Sequence, residues 1–228
     1  MKAVVLVSGF DSIVLLEYLK REDKDRELIP VYFKFGLPNQ ERELLQLPEG
    51  TKIVDVPDRL QFHGLDFTNG NIPDLKGRTT LMHVIACQLF RPDAVFSGVL
   101  PSDGYDESSV HCQHSLSATL TYMSGKNVGV VFPWLWKNFS KDKVLELAIS
   151  YGMDYGSLVS CNDATDCGIC RKCIDRMLAE IRTGGEVDDE KKLAFLLTTG
   201  ALSGSEICEV CGYFGASTPG EALVKVGL

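Results

Sequence analysis

Half of the chain's eight cysteines fall within thirteen residues, Cys161, Cys167, Cys170 and Cys173, spaced C-x5-C-x2-C-x2-C. Two-residue gaps let successive thiolates curl around one small soft ion. Four sulfurs complete the tetrahedron that Zn2+ takes in a closed structural site. Gly168 supplies a sharp turn between two of the ligands. Arg171 and Lys172 offset part of the negative charge of a tetrathiolate. Disulfides would need an oxidising compartment, to which nothing in the sequence points. Free buried cysteines are common singly but not as four in one polar loop. The spacing therefore favours a structural metal site, with iron–sulfur ligation as the rival metal reading.

A second stretch of interest is Ser8-Gly9-Phe10-Asp11-Ser12, directly after the apolar run Ala3–Val7. Small residues between a strand and a helix expose backbone N–H groups, and the helix start adds positive potential, so a phosphate fits there. Taken alone, the same residues also read as a tight turn with an Asp or Ser cap. His111 and His114 flank Cys112, but the group lacks a clear fourth ligand and is read as non-metallic. Trp134 and Trp136 read as core or interface aromatics. Cys208 and Cys211 form a second C-x2-C, which is either half of a metal site shared across a dimer or a pair of spare thiols.

The elements that must position these residues alternate. Ala3–Val7 reads as a buried strand, and Ser12 to Arg21 as a helix. Strands follow at Ile29–Lys34 and Thr51–Val56, with a short helix, Gln40–Leu47, between them. Residues 58–77 read as an irregular loop, of the length that is usually functional or disordered. A helix at Thr79–Phe90, a strand at Asp93–Val99, a polar loop at 100–112, a helix at Gln113–Ser124 and a strand at Asn127–Phe132 come next. Ser140–Tyr151 reads as a helix capped by Ser140. Helices at Cys173–Arg182 and Val187–Leu197 follow the cysteine stretch, and the last 25 residues are rich in Gly and Ser. This alternation predicts an α/β fold, a doubly wound parallel five-stranded sheet over residues 1–157, with a zinc-binding helical appendage over residues 158–228.

The bulk numbers agree with that class. The chain has 228 residues, 45% hydrophobic and 24% charged, which is ordinary globular composition. Its 23 basic and 31 acidic residues give a net charge of −8, a balance that argues against a nucleic-acid or anionic-membrane partner. There is no charged-then-apolar leader and no run approaching the ~20 apolar residues of a spanning helix. A cytoplasmic, reducing location is the expectation.

Together the two stretches resemble a known family. Ser8–Ser12 resembles the pyrophosphate loop, SGGxDS, of the N-type ATP pyrophosphatases, which have an adenine nucleotide alpha hydrolase-like fold. The C-terminal half narrows the resemblance to the 7-cyano-7-deazaguanine synthase family, and it runs over roughly residues 2–182. Lys2–Ser12 resembles the family's opening strand and loop, and Gly77-Arg78-Thr79-Thr80 sits where the family has A-R-N-T. Asp93–Val99 resembles its strand D-A-I-V-I-G-V, and Asp103, Tyr105 and Cys112 loosely follow D-Y-S-G-Y-P-D-C. Pro133 and Ser140-Lys141 resemble a strand-end Pro and a helix-opening S-K. Ser160-Cys161 and Cys167–Cys173 resemble the family's S-C and C-G-x-C-x-x-C. The loop here is one residue shorter than SGGxDS, Thr79 stands at the A-R-N-T Asn, and Leu100 stands at the G-V-N Asn.

The resemblance implies ATP, Mg2+ and Zn2+ as cofactors, and a deazapurine acid and ammonia as further substrates. It implies that Ser8, Gly9, Phe10, Asp11 and Ser12 hold the ATP phosphates. It further implies that Arg78 and Lys141 neutralise charge as pyrophosphate leaves, that Asp103 and Tyr105 meet the substrate base, and that the protein is a homodimer. The reaction implied is conversion of 7-carboxy-7-deazaguanine to the nitrile preQ0 through an acyl-adenylate. The alternatives are a related enzyme joining another acid or amine, including protein or nucleic acid, and a zinc-stabilised protein with a degenerate nucleotide site.

Overall fold

The computed structural model describes residues 1–61, 77–103 and 109–228, apart from 162, 164, 166, 186 and 188 and the side chain of residue 191. Its centre is a five-stranded parallel sheet in the order β3-β2-β1-β4-β5. The strands are β1 (Lys2–Leu6), β2 (Glu27–Lys34), β3 (Lys52–Asp55), β4 (Ala94–Ser97) and β5 (Gly129–Val131). Between them run α1 (Phe10–Glu22), α2 (Gln40–Leu45), α3 (Arg78–Phe90) and α4 (Val110–Ser124). After the sheet come α5 (Pro133–Trp136), α6 (Lys141–Ser150), α7 (Arg171–Arg182), α8 (Glu190–Thr199), α9 (Gly204–Tyr213) and α10 (Pro219–Lys225).

β1 shows why its run is apolar without a break. Successive side chains point to opposite faces of a strand. Ala3, Val5 and Val7 pack on one face with Phe10, Leu15 and Leu16 of α1 and Val144, Leu145 and Ala148 of α6. Val4 and Leu6 pack on the other with Ala86 and Cys87 of α3 and Leu116 and Leu120 of α4. Both faces are covered, so neither parity can be polar. Pro30 is compatible with an inner strand because β3 pairs with β2 only from Val31 onward, leaving that flank of Pro30 without a ladder to satisfy.

Two local results differ from the sequence expectation and bear on function. The first helix starts at Phe10, with extended Gly9 as its N-cap, so Phe10, Asp11 and Ser12 belong to a helical first turn rather than a turn before it. The C-terminal stretch, which reads as Gly- and Ser-rich, forms α9 and α10. A third apolar cluster lies here, joining Cys161, Cys170 and Cys173 to Ile174, Leu178, Leu193, Leu196 and Val210. Among the described residues, no helix is long and apolar enough to cross a membrane.

The chain moves outward from β1 through β2 to β3, then returns to lay β4 on the other side of β1. The order therefore reverses between β1 and β4, and a crevice opens beyond their carboxyl ends.

Candidate active-site cleft and metal centre

That crevice is a cleft of about 1070 Å3, counting the part open to solvent. Ser8–Ser12 form one side, and Tyr32, Phe33, Phe35 and Leu37 at the end of β2 form another. Arg78, Thr79 and Met82 open α3 along it, Ser97–Val99 close β4 into it, and Val159, Ser160 and Lys172 complete it from the cysteine region. The two chemistry-bearing stretches, 152 residues apart from Ser8 to Ser160, thus share one cavity.

The loop is held from three directions. Gly9 lies against the chain before Cys161: a Cβ at Gly9 would sit 2.5 Å from the Val159 carbonyl oxygen. The Phe10 N–H donates to that same oxygen at 2.9 Å. Gly98, at the end of β4, approaches so closely that a Cβ there would lie 2.9 Å from the Asp11 carbonyl and Ser12 Cα. Inside the loop, the Ser8 N–H donates to Ser12 Oγ at 2.7 Å, and that hydroxyl donates to the Gly9 carbonyl at 2.8 Å.

These bonds revise the expectation for the phosphate cradle. The N–H groups of Ser8 and Phe10 are already used within the protein, and the Phe10 side chain is buried in the core. The first bond of the helix start is Ile13 N–H to the Gly9 carbonyl, so the Asp11 and Ser12 N–H groups precede the helical ladder. They are the N–H groups of this helix start that a phosphate there would meet.

Asp11 and Lys141 form a bidentate pair, with Nζ 2.7 and 2.8 Å from the two carboxylate oxygens. Lys141 is buried, and its ammonium lies 4.4 Å from the centre of the Phe10 ring. Trp134 Nε1 donates to the Asp11 carbonyl at 3.1 Å, which assigns Trp134 to the core, while Trp136 is exposed. Arg78 and Asp103 both line the cleft. Asp103 accepts from the Leu100 N–H at 2.8 Å, and burial, then the charge of Asp11, pushes its carboxyl above the usual range. Tyr105 lies outside the described residues.

Sequence reasoning missed a polar cluster on the β2 side. Glu43 is buried and accepts from Tyr32 Oη at 2.8 Å and from Asn39 Nδ2 at 3.0 Å. Burial raises its carboxyl above the ordinary range, and burial beside Glu43 raises the Tyr32 phenol. Asn39 Nδ2 also donates to the Cys161 carbonyl at 2.9 Å. Gln46, just past α2, accepts from the Val159 N–H and donates to the Ser8 carbonyl at 3.5 Å. The α2 segment therefore joins the loop to the cysteine stretch. His83 was missed as well. Its Nδ1 donates to the Thr79 carbonyl at 2.7 Å, leaving Nε2 to accept from Ser97 Oγ at 3.1 Å. A buried histidine holding a serine that lines the cleft has no signature in one sequence.

The cysteines meet as their spacing predicts. All four sulfurs lie within 4.8 Å of one another. Adjacent separations are 3.5 Å for Cys161–Cys167, 3.8 Å for Cys161–Cys170, 3.5 Å for Cys170–Cys173 and 4.0 Å for Cys167–Cys173. Four thiolates at the usual zinc–sulfur bond length stand about 3.8 Å apart in a tetrahedron, so the donor set fits Zn2+. Hydrogen bonds from Cys170 and then Cys173 hold the Cys161 thiol far below its ordinary range, while Cys170 is pushed up to about 12 by its bond to Cys161. Gly168 makes its turn at φ 75°, as its placement between ligands requires.

Cys170 caps α7, so Cys170 and Cys173 sit at a helix N-terminus, whose positive potential suits the negative charge of a tetrathiolate site. Arg171 turns outward to Glu206 and Asp175, each at 2.7 Å. The Arg171 guanidinium holds the Glu206 carboxyl down to about 2. Arg176 clamps the approach to the knot, donating to the carbonyls of Leu158, Tyr155 and Gly156 and to Glu180. His111 and His114 are exposed, and among the described residues only the four cysteines group as a metal site. Cys208 is exposed and Cys211 buried.

No family model matches the chain, and no curated protein matches it. Among solved structures it is similar to a predicted subunit of a tRNA methyltransferase from Methanocaldococcus jannaschii. The identity is 15% and the TM-score 0.42, over 66% of this chain and 76% of that one. A likeness that distant leaves the functional reading to the geometry of the cleft.

Proposed function

We propose that this chain is an ATP-dependent ligase that activates a carboxylic acid as its adenylate, of the 7-cyano-7-deazaguanine synthase type. The observation that carries the reading is the shared cleft. A helix N-terminus with two donors ahead of its ladder, the cation Arg78, Asp11 with Lys141 paired to it, and an apolar slot at the end of β2 converge where the strand order reverses. Phe33, Phe35, Leu37 and Met82 suit the faces of an adenine ring. The Asp11 and Ser12 N–H groups suit a phosphate, and magnesium enters with the nucleotide. Lys141 orients Asp11 and adds positive charge beside the leaving pyrophosphate, and Arg78 supplies charge from the start of α3.

In this scheme an oxygen of 7-carboxy-7-deazaguanine attacks the α-phosphorus of ATP. The bond to the β-phosphate oxygen breaks, and pyrophosphate departs. Ammonia attacks the acyl carbon of the adenylate, loses a proton, and AMP leaves with the electron pair, giving the amide. A second ATP activates the amide oxygen in the same way. Loss of the two nitrogen protons and of AMP then yields the nitrile. No protein nucleophile is needed; the cleft aligns reactants and keeps water from the adenylate. Zn2+ in the cysteine knot would be structural, since all four ligands come from protein.

The test is isotope exchange between pyrophosphate and ATP, run with and without 7-carboxy-7-deazaguanine, followed by mass spectrometry of a complete reaction with ammonium. Acid-dependent exchange, then amide and nitrile, is the expected result. Exchange with this acid but an amide-linked adduct to another amine would redirect the reading to a different acceptor. Absence of exchange with any deazapurine acid would remove it.

A further inference from the structure

The wall of the cleft built by the cysteine region does more than close it. Ser160 immediately precedes the ligand Cys161, and Lys172 lies between the ligands Cys170 and Cys173. Both line the cleft. Ser160 Oγ is buried and has no hydrogen-bond partner among the described residues, so a hydroxyl donor stands unanswered in the wall. Lys172 carries a cation to the same wall, and its charge is felt by the buried carboxyls of both Glu43 and Asp103. Its neighbour Arg171 faces the other way, onto Glu206 and Asp175. The knot thus divides two adjacent cations between two jobs, one packing α9 and one facing the cavity.

One ammonium and one hydroxyl are the complement of a single carboxylate. They are a poor match for a triphosphate, whose several charges one ammonium cannot answer. The nearby Glu43 and Asp103 suit the ring N–H donors of a heterocycle. We infer that Ser160 and Lys172 form the subsite that receives the carboxylate of the acid substrate, a planar heteroaromatic acid, and set it against the α-phosphorus of the nucleotide. This rests on the adenylation reading above and adds to it two substrate-contacting residues fixed in place by the metal knot.

The experiment uses calorimetry on zinc-loaded full-length protein with two probes. One is the α,β-methylene analogue of ATP with magnesium; the other is 7-carboxy-7-deazaguanine titrated in the presence of that analogue. Lys172→Met is expected to weaken the acid by about tenfold or more, and Ser160→Ala by about three- to tenfold. Nucleotide affinity should hold within about twofold. Lys172→Arg should recover most of the acid affinity, and Arg171→Met should leave it unchanged. Zinc content measured on each variant shows that the knot is intact. Should Lys172→Met shed its metal, Ser160→Ala, which removes no thiolate neighbour's charge, decides alone. Unchanged acid affinity in Ser160→Ala and Lys172→Met overturns the subsite, as does equal weakening of acid and nucleotide. Wild type binding the nucleotide but not the acid also overturns the subsite and leaves the nucleotide site standing. Wild type binding neither overturns the adenylation reading, and the subsite falls with it.

Discussion

Ser97 shows how a buried neighbour fixes the chemistry of a group in the cleft. His83 gives its one proton, on Nδ1, to the Thr79 carbonyl, so Nε2 can only accept. The Ser97 hydroxyl must then point its hydrogen at His83 and show lone pairs to the cavity. Charging His83 would break this arrangement, and burial holds its pKa down to about 4 from 6.5. In the unfolded chain the ring binds a proton near pH 6.5, whereas in the folded chain it does not until about pH 4. The unfolded state therefore takes up more protons in that window, and stability present above pH 6.5 is lost as the pH falls toward 4. Between pH 6.5 and about pH 5 this one group should remove about 2 kcal/mol. His83→Leu should be less stable than wild type at pH 7, yet the gap should narrow by that amount at pH 5, read from denaturant midpoints. Parallel stability curves for the two proteins would mean that another group carries the dependence.

At the scale of elements, the cleft depends on how closely β4 and α1 meet. A Cβ at Gly98 would touch only backbone atoms of Asp11 and Ser12, at 2.9 Å, so no side chain can swing away to admit it. Gly98→Ala must push the first turn of α1 out of place. It should cost about 1–3 kcal/mol and weaken the methylene analogue of ATP by about tenfold or more. Gly129→Ala is the matched control, since its Cβ would meet the Ala94 Cβ at an ordinary 3.8 Å. Equal nucleotide affinity in both variants would detach α1 from phosphate binding. The same elements show what a sequence can and cannot tell. β1, β2 and β4 are legible because coverage on both faces forces unbroken apolar runs. α9 and α10 are not, because their punctuation resembles a loop. Ser203 caps α9 in a capping box with Glu206, Thr218 caps α10 ahead of Pro219, and Gly200 turns left-handed at the end of α8. The cysteine knot is legible because its geometry is local. Glu43, Asn39, Ser160 and the inward aim of Lys172 are not, since each acquires meaning only from partners far along the chain.

Across the whole molecule, two apolar clusters sandwich the sheet and a third surrounds the cysteines. What joins the third to the cleft is a short polar seam. Asn39 holds the Cys161 carbonyl, Gln46 holds the Val159 N–H, and the Val159 carbonyl receives the Phe10 N–H at the start of α1. Every bond of this seam ends on residues 159–161, whose position is fixed at one end by Arg176 and at the other by Cys161. Metal binding to a thiolate site that exists only in the folded chain contributes folding free energy, on the order of 10 kcal/mol in small zinc domains. Withdrawing the ion would leave four sulfurs crowded within 4.8 Å with no metal bonds to hold them together. Chelation, or Cys170→Ser, should therefore loosen α7, α8 and α9 while the sheet, with its own two clusters, persists. The melting transition should fall and split in calorimetry, and the strand signal should outlast the loss of helix in circular dichroism. Nucleotide affinity should fall by about tenfold although no cysteine faces the phosphates, because residues 159–161 no longer brace Gly9 and Phe10. Re-adding zinc to the chelated wild type should restore both properties together, and to Cys170→Ser neither. A metal-stripped protein that kept full affinity for the ATP analogue would show instead that the cradle at α1 stands on the sheet alone.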